Sequence, residues 1–289
     1  FFSFDDKELR YRKRYLDLIA NKDVMDLFIK RSNIINAIRS YLNNKQFLEV
    51  ETPVLQPIYG GALAKPFTTH HNTLDRKLYL RIADELYLKR LIIGGIEKVY
   101  EIGKDFRNEG IDKSHNPEFT MLEFYQAYAD VYDMADLVEK LFHHIAKEMK
   151  VEKVLFNEKS ISLNKKFNRI NFFDSIKKIT GISINSFTLE ELYEFASQLN
   201  YDIDKNLSKG KVLDKLFSII VEPTLIEPTF VFDYPKSISP LAKVHRDNDQ
   251  LAERFELFIA GMEFANAFSE LNDPIDQKKR FEDQLELLK

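Results

Sequence analysis

A predicted strand carries a carboxylate and a phenol beside large apolar groups, and a basic residue precedes it. Residues 119–125 alternate, so four side chains should share one face: Phe119, Met121, Glu123 and Tyr125. A polar stretch at 109–117 with Gly and Pro separates this strand from a second β-rich run at 100–107. Arg107, at the base of the loop, offers a planar fork that suits phosphate or carboxylate. An ordinary antiparallel hairpin with a snorkelling acid would show the same pattern.

Two acidic residues flank a short turn near the end of the sequence. Glu256 and Glu263 lie on either side of Ala260 and Gly261, between strand-like runs, so a hairpin would bring the carboxylates together. Two neighbouring carboxylates stay ionised together only when a cation lies between them. Oxygen ligands of this kind suit Mg²⁺. A solvated hairpin edge that bears acids would give the same pattern.

Three alternate positions follow in the same run: Asn266, Phe268 and Glu270. By plain alternation Glu263 would lie on the opposite face, so a β-bulge must intervene if all four residues serve one site. The acids Glu85, Glu123 and Glu270 together would make a cleft with excess negative charge. A ligand with two ammonium groups matches that charge.

Composition limits the possible classes of protein. A chain of 289 residues with 44% hydrophobic residues can build a substantial core in one domain or two. No apolar run of about 18 residues occurs, so no membrane span is predicted. The absence of cysteine excludes disulfides and cysteine metal sites, and it fits a cytoplasmic enzyme without proving one. With a net charge of −4, any nucleic-acid contact needs local basic patches or a further domain.

The periodicity predicts an α+β fold, with an antiparallel β-sheet flanked by helices. Helices are predicted at 24–44, 84–93 and 131–150, and strands at 47–55, 77–82, 98–107, 229–234 and after 254. The segment 165–222 is polar and helix-rich, with a capping pattern from Thr188 to Glu191, and we interpret it as a helical insertion beside the sheet. No Gly-rich phosphate loop of the P-loop or Rossmann type occurs.

The hairpin segment at 106–125 resembles the second signature motif of class II (subclass b) aminoacyl-tRNA synthetases, in the form that lysyl-tRNA synthetases carry. Other segments resemble the same family, in the family's order: 12–18, 47–53, 80–86, 233–235 and 264–272. Because the series covers nearly the whole chain, the resemblance implies the class II catalytic fold. The segment at about 24–55 resembles the first motif, which implies a two-fold homodimer.

The resemblance also implies a domain layout. Residues 1–20 resemble the linker that follows an anticodon-binding OB-fold domain, and residues 21–289 resemble the catalytic domain, including the insertion. The third class II motif, a Gly-rich segment that ends in an Asp-Arg pair, would follow Lys289. We therefore expect the OB-fold domain and the third motif to lie outside this sequence.

The activity implied is that of a lysine–tRNA ligase. ATP and L-lysine would form lysyl-adenylate with release of pyrophosphate, and lysine would then pass to tRNA(Lys). The alternatives are a paralogue that ligates lysine to a protein of the elongation-factor P type, an aspartyl or asparaginyl enzyme, and an inactive synthetase-like binding module. The linker at 10–18 argues against the paralogue, Glu123 and Glu270 would repel aspartate, and intact metal ligands argue against an inactive module.

The resemblance implies roles for individual residues. In the family, residues that match Glu85 and the backbone of Gly61 hold the α-ammonium of lysine, and Arg107 would bridge the lysine carboxylate and the α-phosphate. The implied lysine-binding residues are Gly61, Glu85, Arg107, Glu123, Tyr125, Asn266, Phe268 and Glu270. The implied ATP-binding residues are Arg107, Glu109, His115, Asn116, Phe119, Glu256 and Glu263. Phe119 would stack on adenine, and Glu256 and Glu263 would hold Mg²⁺.

Overall fold

A computed structural model describes residues 5–62, 64–112 and 115–287 of the chain, with side chains up to residue 283. The chain forms two compact units, residues 1–128 and residues 129–289, and each is described by itself. Among the described residues, no helix is both long enough and apolar enough to cross a membrane.

The first unit contains four helices and two small three-stranded sheets within its described residues. Its elements are α1 (Lys7–Arg12), α2 (Arg14–Ala20), α3 (Lys22–Asn44), β1 (Leu48–Glu49), β2 (Leu55–Gln56), β3 (Thr68–His71), β4 (Arg76–Leu80), α4 (Glu85–Ile93), β5 (Lys98–Phe106) and β6 (Glu118–Gln126). One sheet has the strand order β1-β5-β6, and the other has the order β2-β4-β3. The helices and strands predicted at 24–44, 77–82, 84–93 and 98–107 are confirmed to within two residues at each end.

The β5–β6 hairpin carries the motif that the sequence singles out. Its antiparallel register runs without a shift from Lys98 opposite Gln126 to Phe106 opposite Glu118. The regular register confirms that the four alternate residues from Phe119 to Tyr125 share one face. The residues of β5 opposite them lie on the same face: Asp105, Gly103, Glu101 and Val99. A Cβ on Gly103 would lie 2.0 Å from Nη2 of Arg81, so glycine leaves the space that this arginine fills.

The prediction of one strand at 47–55 is wrong. Only β1 and β2 form, near the two ends of that segment, and β1 pairs with β5 in parallel orientation. Between them, the N–H and the hydroxyl of Thr52 both donate to Oε2 of Glu101, at 3.1 and 2.6 Å. Pro53 has no N–H to donate. Hydrogen bonds to a side chain therefore replace the sheet ladder in this segment.

The charged segment near the start folds into α1 and α2 around one acid. Asp17 is fully buried and accepts hydrogen bonds from Nε of Arg10 at 2.8 Å and Nδ2 of Asn21 at 2.7 Å. Arg14 also forms an ion pair with Asp17. The identity of residues 1–20 as an interdomain linker stays a prediction.

The second unit contains a five-stranded sheet with helices and a separate two-stranded hairpin. Its elements are α5 (Val131–Glu148), β7 (Lys153–Phe156), β8 (Lys159–Ser162), β9 (Asn168–Asn171), α6 (Phe172–Thr180), α7 (Leu189–Gln198), α8 (Lys209–Ile220), β10 (Thr229–Pro235), β11 (Val244–His245), β12 (Asn248–Ile259), β13 (Met262–Phe268) and α9 (Pro274–Leu287). The large sheet has the order β11-β12-β10-β9, and β13 also pairs with β12. Helix α7 begins with the predicted capping box, which links Thr188 and Glu191.

The segment 165–222 is helix-rich, as predicted, but it also contains a strand that the sequence pattern does not indicate. Strand β9 pairs in parallel with β10, so the sheet is mixed although most pairs are antiparallel. Its four residues include one apolar side chain, Ile170, which is too little for an alternating pattern. The helices form a hydrophobic core in which Phe172 stacks on Phe217 at a centroid distance of 4.7 Å. The interpretation of this segment as an insertion stays a prediction.

Candidate active site

Gly61 and Glu85 lie close together in the first unit. Glu85 is the first residue of α4 and is buried. Gly61 has a φ of +90°, and a Cβ placed on it would lie 3.1 Å from Cβ and 3.6 Å from Oε2 of Glu85. Glycine adopts positive φ without steric cost. The main chain can therefore approach the Glu85 carboxylate closely at this position.

Glu123, on β6, is the second acid of this cluster. Its Oε1 accepts a hydrogen bond from the hydroxyl of Tyr125 at 2.5 Å, and its Oε2 accepts one from the N–H of Asp84 at 3.3 Å. Burial, with repulsion from Glu85 and Asp105, raises the pKa of Glu123 to about 7, against the effect of the Tyr125 hydrogen bond. Four of the predicted lysine-binding residues thus lie together in this unit: Gly61, Glu85, Glu123 and Tyr125.

An internal ammonium group already contacts this cluster. Lys89, one turn along α4, forms an ion pair with Oε1 of Glu85, and its Nζ lies 5.9 Å from the ring centroid of Tyr125. A cation at that distance from an aromatic ring is favourable. Lys89 is not among the residues that the sequence predicts for the site, although its i,i+4 spacing from Glu85 was a usable signal.

Arg107 follows directly after β5, next to the aromatic face of the hairpin. Its guanidinium carbon lies 5.1 Å from the ring centroid of Phe119, and its Nε donates to the carbonyl of Ile82 at 3.4 Å. Within the described part of the chain Arg107 forms no ion pair with a carboxylate. Its forked end can therefore bind an anion.

The predicted ATP-binding residues of the loop are all exposed. The N–H of His115 donates to Oδ1 of Asp112 at 2.8 Å, and its ring Nδ1 lies 2.7 Å from Oδ2 of the same residue. Asn116 donates to a backbone carbonyl, and Oε1 of Glu109 accepts from the N–H of Lys65 at 3.4 Å. The contacts of His115 and Asn116 are local, whereas Glu109 contacts a residue 44 positions away. The nucleotide-binding roles of these loop residues stay predictions.

In the second unit, a β-bulge brings the predicted metal ligands to one face. Glu256 lies opposite Asn266 in the β12–β13 pairing, whereas Phe258 lies opposite Glu263. The register shift leaves Phe264 as one extra residue in β13. Because Glu256 and Phe258 are alternate residues, their partners Asn266 and Glu263 share a face with them. The bulge that the sequence requires for a common site is confirmed.

Glu256 is held by three neighbours. Its Oε2 accepts from the hydroxyl of Tyr234 at 2.7 Å, and its Oε1 accepts from Nδ2 of Asn266 at 3.3 Å and forms an ion pair with Arg254. Nε of Arg254 also donates to Oδ1 of Asn266 at 3.2 Å. The sequence pattern gives no role to Tyr234 or Arg254. The Tyr234 contact depends on the pairing of β10 with β12, whereas Arg254 lies two positions before Glu256 on the same strand, a spacing that places both side chains on one face.

The donor set of this face suits a hard cation. Part of the Glu263 side chain is exposed, yet desolvation of its carboxyl group and repulsion from Glu256 raise its pKa to about 7. Burial also raises the pKa of Glu256, against the effect of Arg254. Two crowded carboxylates with oxygen-only donors fit Mg²⁺, which needs few protein ligands. No group of three or more His, Cys, Asp or Glu suited to a metal occurs among the residues described.

Two further predicted lysine-binding residues continue along this strand. Phe268 lies opposite Arg254, and Glu270 forms an isolated antiparallel bridge with Ala242. Both side chains are partly exposed. That they bind lysine together with the acids of the first unit stays a prediction.

The sequence matches a family model described as tRNA synthetases class II (D, K and N), over residues 6–287. The chain belongs to this family. It is 54% identical to a lysine–tRNA ligase of Thermoanaerobacter pseudethanolicus over 282 residues, which are 97% of this chain and 56% of that protein. It is 52% identical to a lysine–tRNA ligase of Staphylococcus epidermidis over 287 residues, which are 99% of this chain and 58% of that protein.

A lysine–tRNA ligase of Christiangramia forsetii is 50% identical over 285 residues, which are 98% of this chain and 50% of that protein. The chain therefore spans between 50% and 58% of the length of these class II synthetases. The predicted family and the α+β class II synthetase fold are both confirmed by the family match.

Proposed function

We propose that this chain is the catalytic domain of a lysine–tRNA ligase. The observation that carries the proposal is the pair of crowded acids Glu85 and Glu123, because burial and mutual repulsion raise the pKa of Glu123 to about 7. An ammonium group relieves such repulsion, an aspartate side chain adds to it, and an asparagine side chain leaves it unchanged. Lysine is thus favoured over aspartate and asparagine, and the names of the relatives support the same choice.

In this proposal the α-ammonium of lysine binds Glu85 and the backbone of Gly61. The ε-ammonium binds Glu123, Tyr125 and Glu270, while Asn266, Phe268 and Arg107 complete the lysine site. The contact of Lys89 with Glu85 and the Tyr125 ring supports the assignment, since it is an internal example of an ammonium bound by these groups.

ATP would bind along the same face of the hairpin. Adenine stacks on Phe119, a contact worth about 1–3 kcal/mol by analogy with base stacking on proteins. Arg107 pairs with the α-phosphate through its forked end. The loop residues Glu109, His115 and Asn116 are the remaining proposed contacts to the nucleotide.

The first reaction needs no protein nucleophile or strong base, because the lysine carboxylate is already ionised at neutral pH. One carboxylate oxygen attacks the α-phosphorus, the bond to the bridging oxygen breaks, and pyrophosphate leaves with its electron pair. Arg107 orients the two reactants and stabilises the charge that develops on the phosphoryl oxygens. In the second reaction a terminal ribose hydroxyl of tRNA(Lys) attacks the lysyl carbonyl, the bond from the carbonyl carbon to the AMP oxygen breaks, and AMP and the hydroxyl proton are released.

Glu256 and Glu263 would hold Mg²⁺ through their carboxylate oxygens. When bound, Mg²⁺ neutralises charge on the phosphates of ATP. Tyr234 and Arg254 hold Glu256 in place by the contacts described above.

We further propose a homodimer formed through about 24–55. Leu27, Phe28 and Ile29 on α3 are 63%, 46% and 52% exposed, and Leu48 is 51% exposed, so this segment presents several large apolar side chains. Phe28→Glu should shift the full-length protein from dimer to monomer in sedimentation velocity. Tyr128→Glu, at a residue that is 95% exposed outside the segment, is the matched control and should leave the dimer intact.

Amino-acid-dependent ATP–pyrophosphate exchange on the full-length protein tests the activity across all twenty amino acids. Lysine should be the only efficient substrate, because sites that pair a buried polar group discriminate by roughly 10⁴-fold against ligands that lack the partner. Comparable exchange with aspartate or asparagine would refute the lysine specificity. Adding tRNA or a protein acceptor separately then distinguishes the ligase from a protein-modifying paralogue.

A further inference from the structure

Glu101 and Asp105, on the hairpin face that carries Glu123, are buried together with Arg81 and Asp84 from the segment between β4 and α4. Their exposed fractions are 1% for Arg81, 0% for Asp84, 3% for Glu101 and 0% for Asp105. Asp105 lies opposite Phe119 and Glu101 lies opposite Glu123 in the β5–β6 register. The cluster therefore shares its face with the proposed lysine and ATP contacts.

One arginine serves all three carboxyl groups. Nη1 of Arg81 donates to Oε1 of Glu101 at 2.6 Å, and Nε donates to the carbonyl of Lys104 at 2.9 Å. The same Nε lies 3.0 Å from Oδ1 of Asp84 and 3.1 Å from Oδ1 of Asp105. The single positive charge of Arg81 thus faces three acids. Its Nε, the atom nearest to Asp84 and Asp105, already donates to the carbonyl of Lys104.

The carboxyl oxygens of Asp84 and Asp105 lack donors. In the part of the chain that the structure describes, no N–H or O–H group donates to any of these four buried oxygens. Asp84 is the N-cap residue of α4, yet its side chain forms no capping hydrogen bond. A buried, unpaired carboxylate is costly, and two neighbouring carboxyl groups avoid the cost by sharing one proton.

We propose that Asp84 and Asp105 share one proton and act together as positioning residues, which present a single negative charge near the Glu123 carboxylate of the lysine pocket. The backbone links the pair to the pocket, because the N–H of Asp84 donates to Oε2 of Glu123 and Glu85 follows Asp84 in the chain. The functional half of this inference rests on the proposed lysine specificity, whereas the shared proton does not.

The surrounding charges agree with one proton for the pair. Burial, followed by repulsion from Asp105, raises the pKa of Asp84 to about 9, and burial also raises the pKa of Asp105. Arg81 and Glu101 face the pair, Arg107 lowers the pKa of Asp105, and Glu123 lies on the adjacent strand. Just below about pH 9 the pair therefore carries one negative charge, and at lower pH the second carboxylate takes up a proton as well.

Infrared spectroscopy with ¹³C-labelled aspartate tests the shared proton directly in the full-length protein. At pH 8 the wild type should show the carbonyl band of a protonated aspartic acid, and titration toward pH 10 should remove it. Both Asp84→Asn and Asp105→Asn should abolish the band at pH 8, since the remaining acid ionises beside Arg81. The control Asp75→Asn, at a side chain that is 96% exposed, should keep it.

A wild type without the band, or a band lost in only one of the two variants, would overturn the shared proton. The wild-type titration decides the matter even if a variant fails to fold. Because the label is confined to aspartate, protonated Glu123 and Glu263 do not contribute to the band.

Steady-state kinetics test the effect on the pocket. Each single Asn variant keeps one negative charge, whereas the double variant loses it, so kcat/KM for lysine should fall little in either single variant and roughly tenfold in the double. The acid limb of the pH profile should move to lower pH only in the double variant, and KM for ATP should not change. Losses in the single variants equal to that of the double would refute the charge effect.

A lack of lysine activation in the wild type would refute the proposed function and leave the infrared result standing.

Discussion

Glu263 lies opposite Phe258 across the β12–β13 hairpin, one step out of the register that joins Glu256 to Asn266. The extra residue Phe264 turns Glu263 to the face of Glu256. β-bulges commonly re-aim a side chain in this way next to functional sites. The convergence of the two carboxylates is thus a property of the backbone register.

Glu263→Gln should reduce ATP–pyrophosphate exchange and leave the fold intact, because a neutral amide is a poor ligand for Mg²⁺. Even outer partners of a bound metal change its affinity by about 10–100-fold, so we expect at least this loss in apparent Mg²⁺ affinity. Exchange measured across a Mg²⁺ titration gives the value. The control is Asp249→Asn, an exposed acid on β12. Wild-type exchange by the Gln variant at limiting Mg²⁺ would exclude Glu263 as a ligand.

The hairpin and the need for a bulge follow from the sequence, because alternation is a local property of a strand. The buried contacts of Arg81 with Asp84, Glu101 and Asp105 join residues up to 24 positions apart, and no local pattern indicates them. The prediction of a single strand at 47–55 fails for the same reason, since Thr52 bonds to Glu101 of β5, 49 positions along the chain. Sequence thus predicts the faces of elements and misses the polar network between elements.

The pH dependence of lysine activation should report the ionisation of Glu123. Burial raises the pKa of this acid to about 7, so in the free protein it is mostly protonated below pH 7 and mostly ionised above it. Only the ionised form pairs with an ammonium group. We therefore expect kcat/KM for lysine to rise with pH through about 7, and kcat/KM reports the free enzyme. A flat profile between pH 6 and 8 would contradict the assignment.

Tyr125→Phe provides a second test of the same acid. The Tyr125 hydroxyl donates to Glu123 at 2.5 Å, and this hydrogen bond lowers the Glu123 pKa. Removal of the hydroxyl should raise the Glu123 pKa and shift the acid limb of the pH profile of kcat/KM for lysine to higher pH. The aromatic ring is kept in the variant. The control Tyr128→Phe changes an exposed tyrosine three residues along and should not move the limb.

Glu270→Gln should weaken lysine binding and lower kcat/KM for lysine, with little change in ATP affinity. The substitution keeps size and hydrogen bonding but removes one charge, and breaking a buried ion pair typically costs about 3–5 kcal/mol. Because Glu270 is partly exposed, we expect a smaller loss. A mere surface acid would change affinity by no more than about 0.5 kcal/mol. Separate titrations of lysine and ATP against the full-length variant distinguish the two cases.

Gly61→Ala should impair lysine binding more than its cost in stability explains. Gly61 has a φ of +90° and Gly95 has a φ of +100°, so alanine is strained at either position by about 1–3 kcal/mol. A new Cβ at Gly61 would lie 3.0 Å from Cβ of Ala83 and 3.1 Å from Cβ of Glu85, whereas at Gly95 it would meet no atom within 4 Å. Gly95→Ala is therefore a matched control for backbone strain.

Both variants should melt at a lower temperature than the wild type, but only Gly61→Ala should raise KM for lysine, because it displaces the Glu85 carboxylate. Equal KM values in the two variants, measured by exchange at saturating ATP, would remove Gly61 and Glu85 from the α-ammonium site.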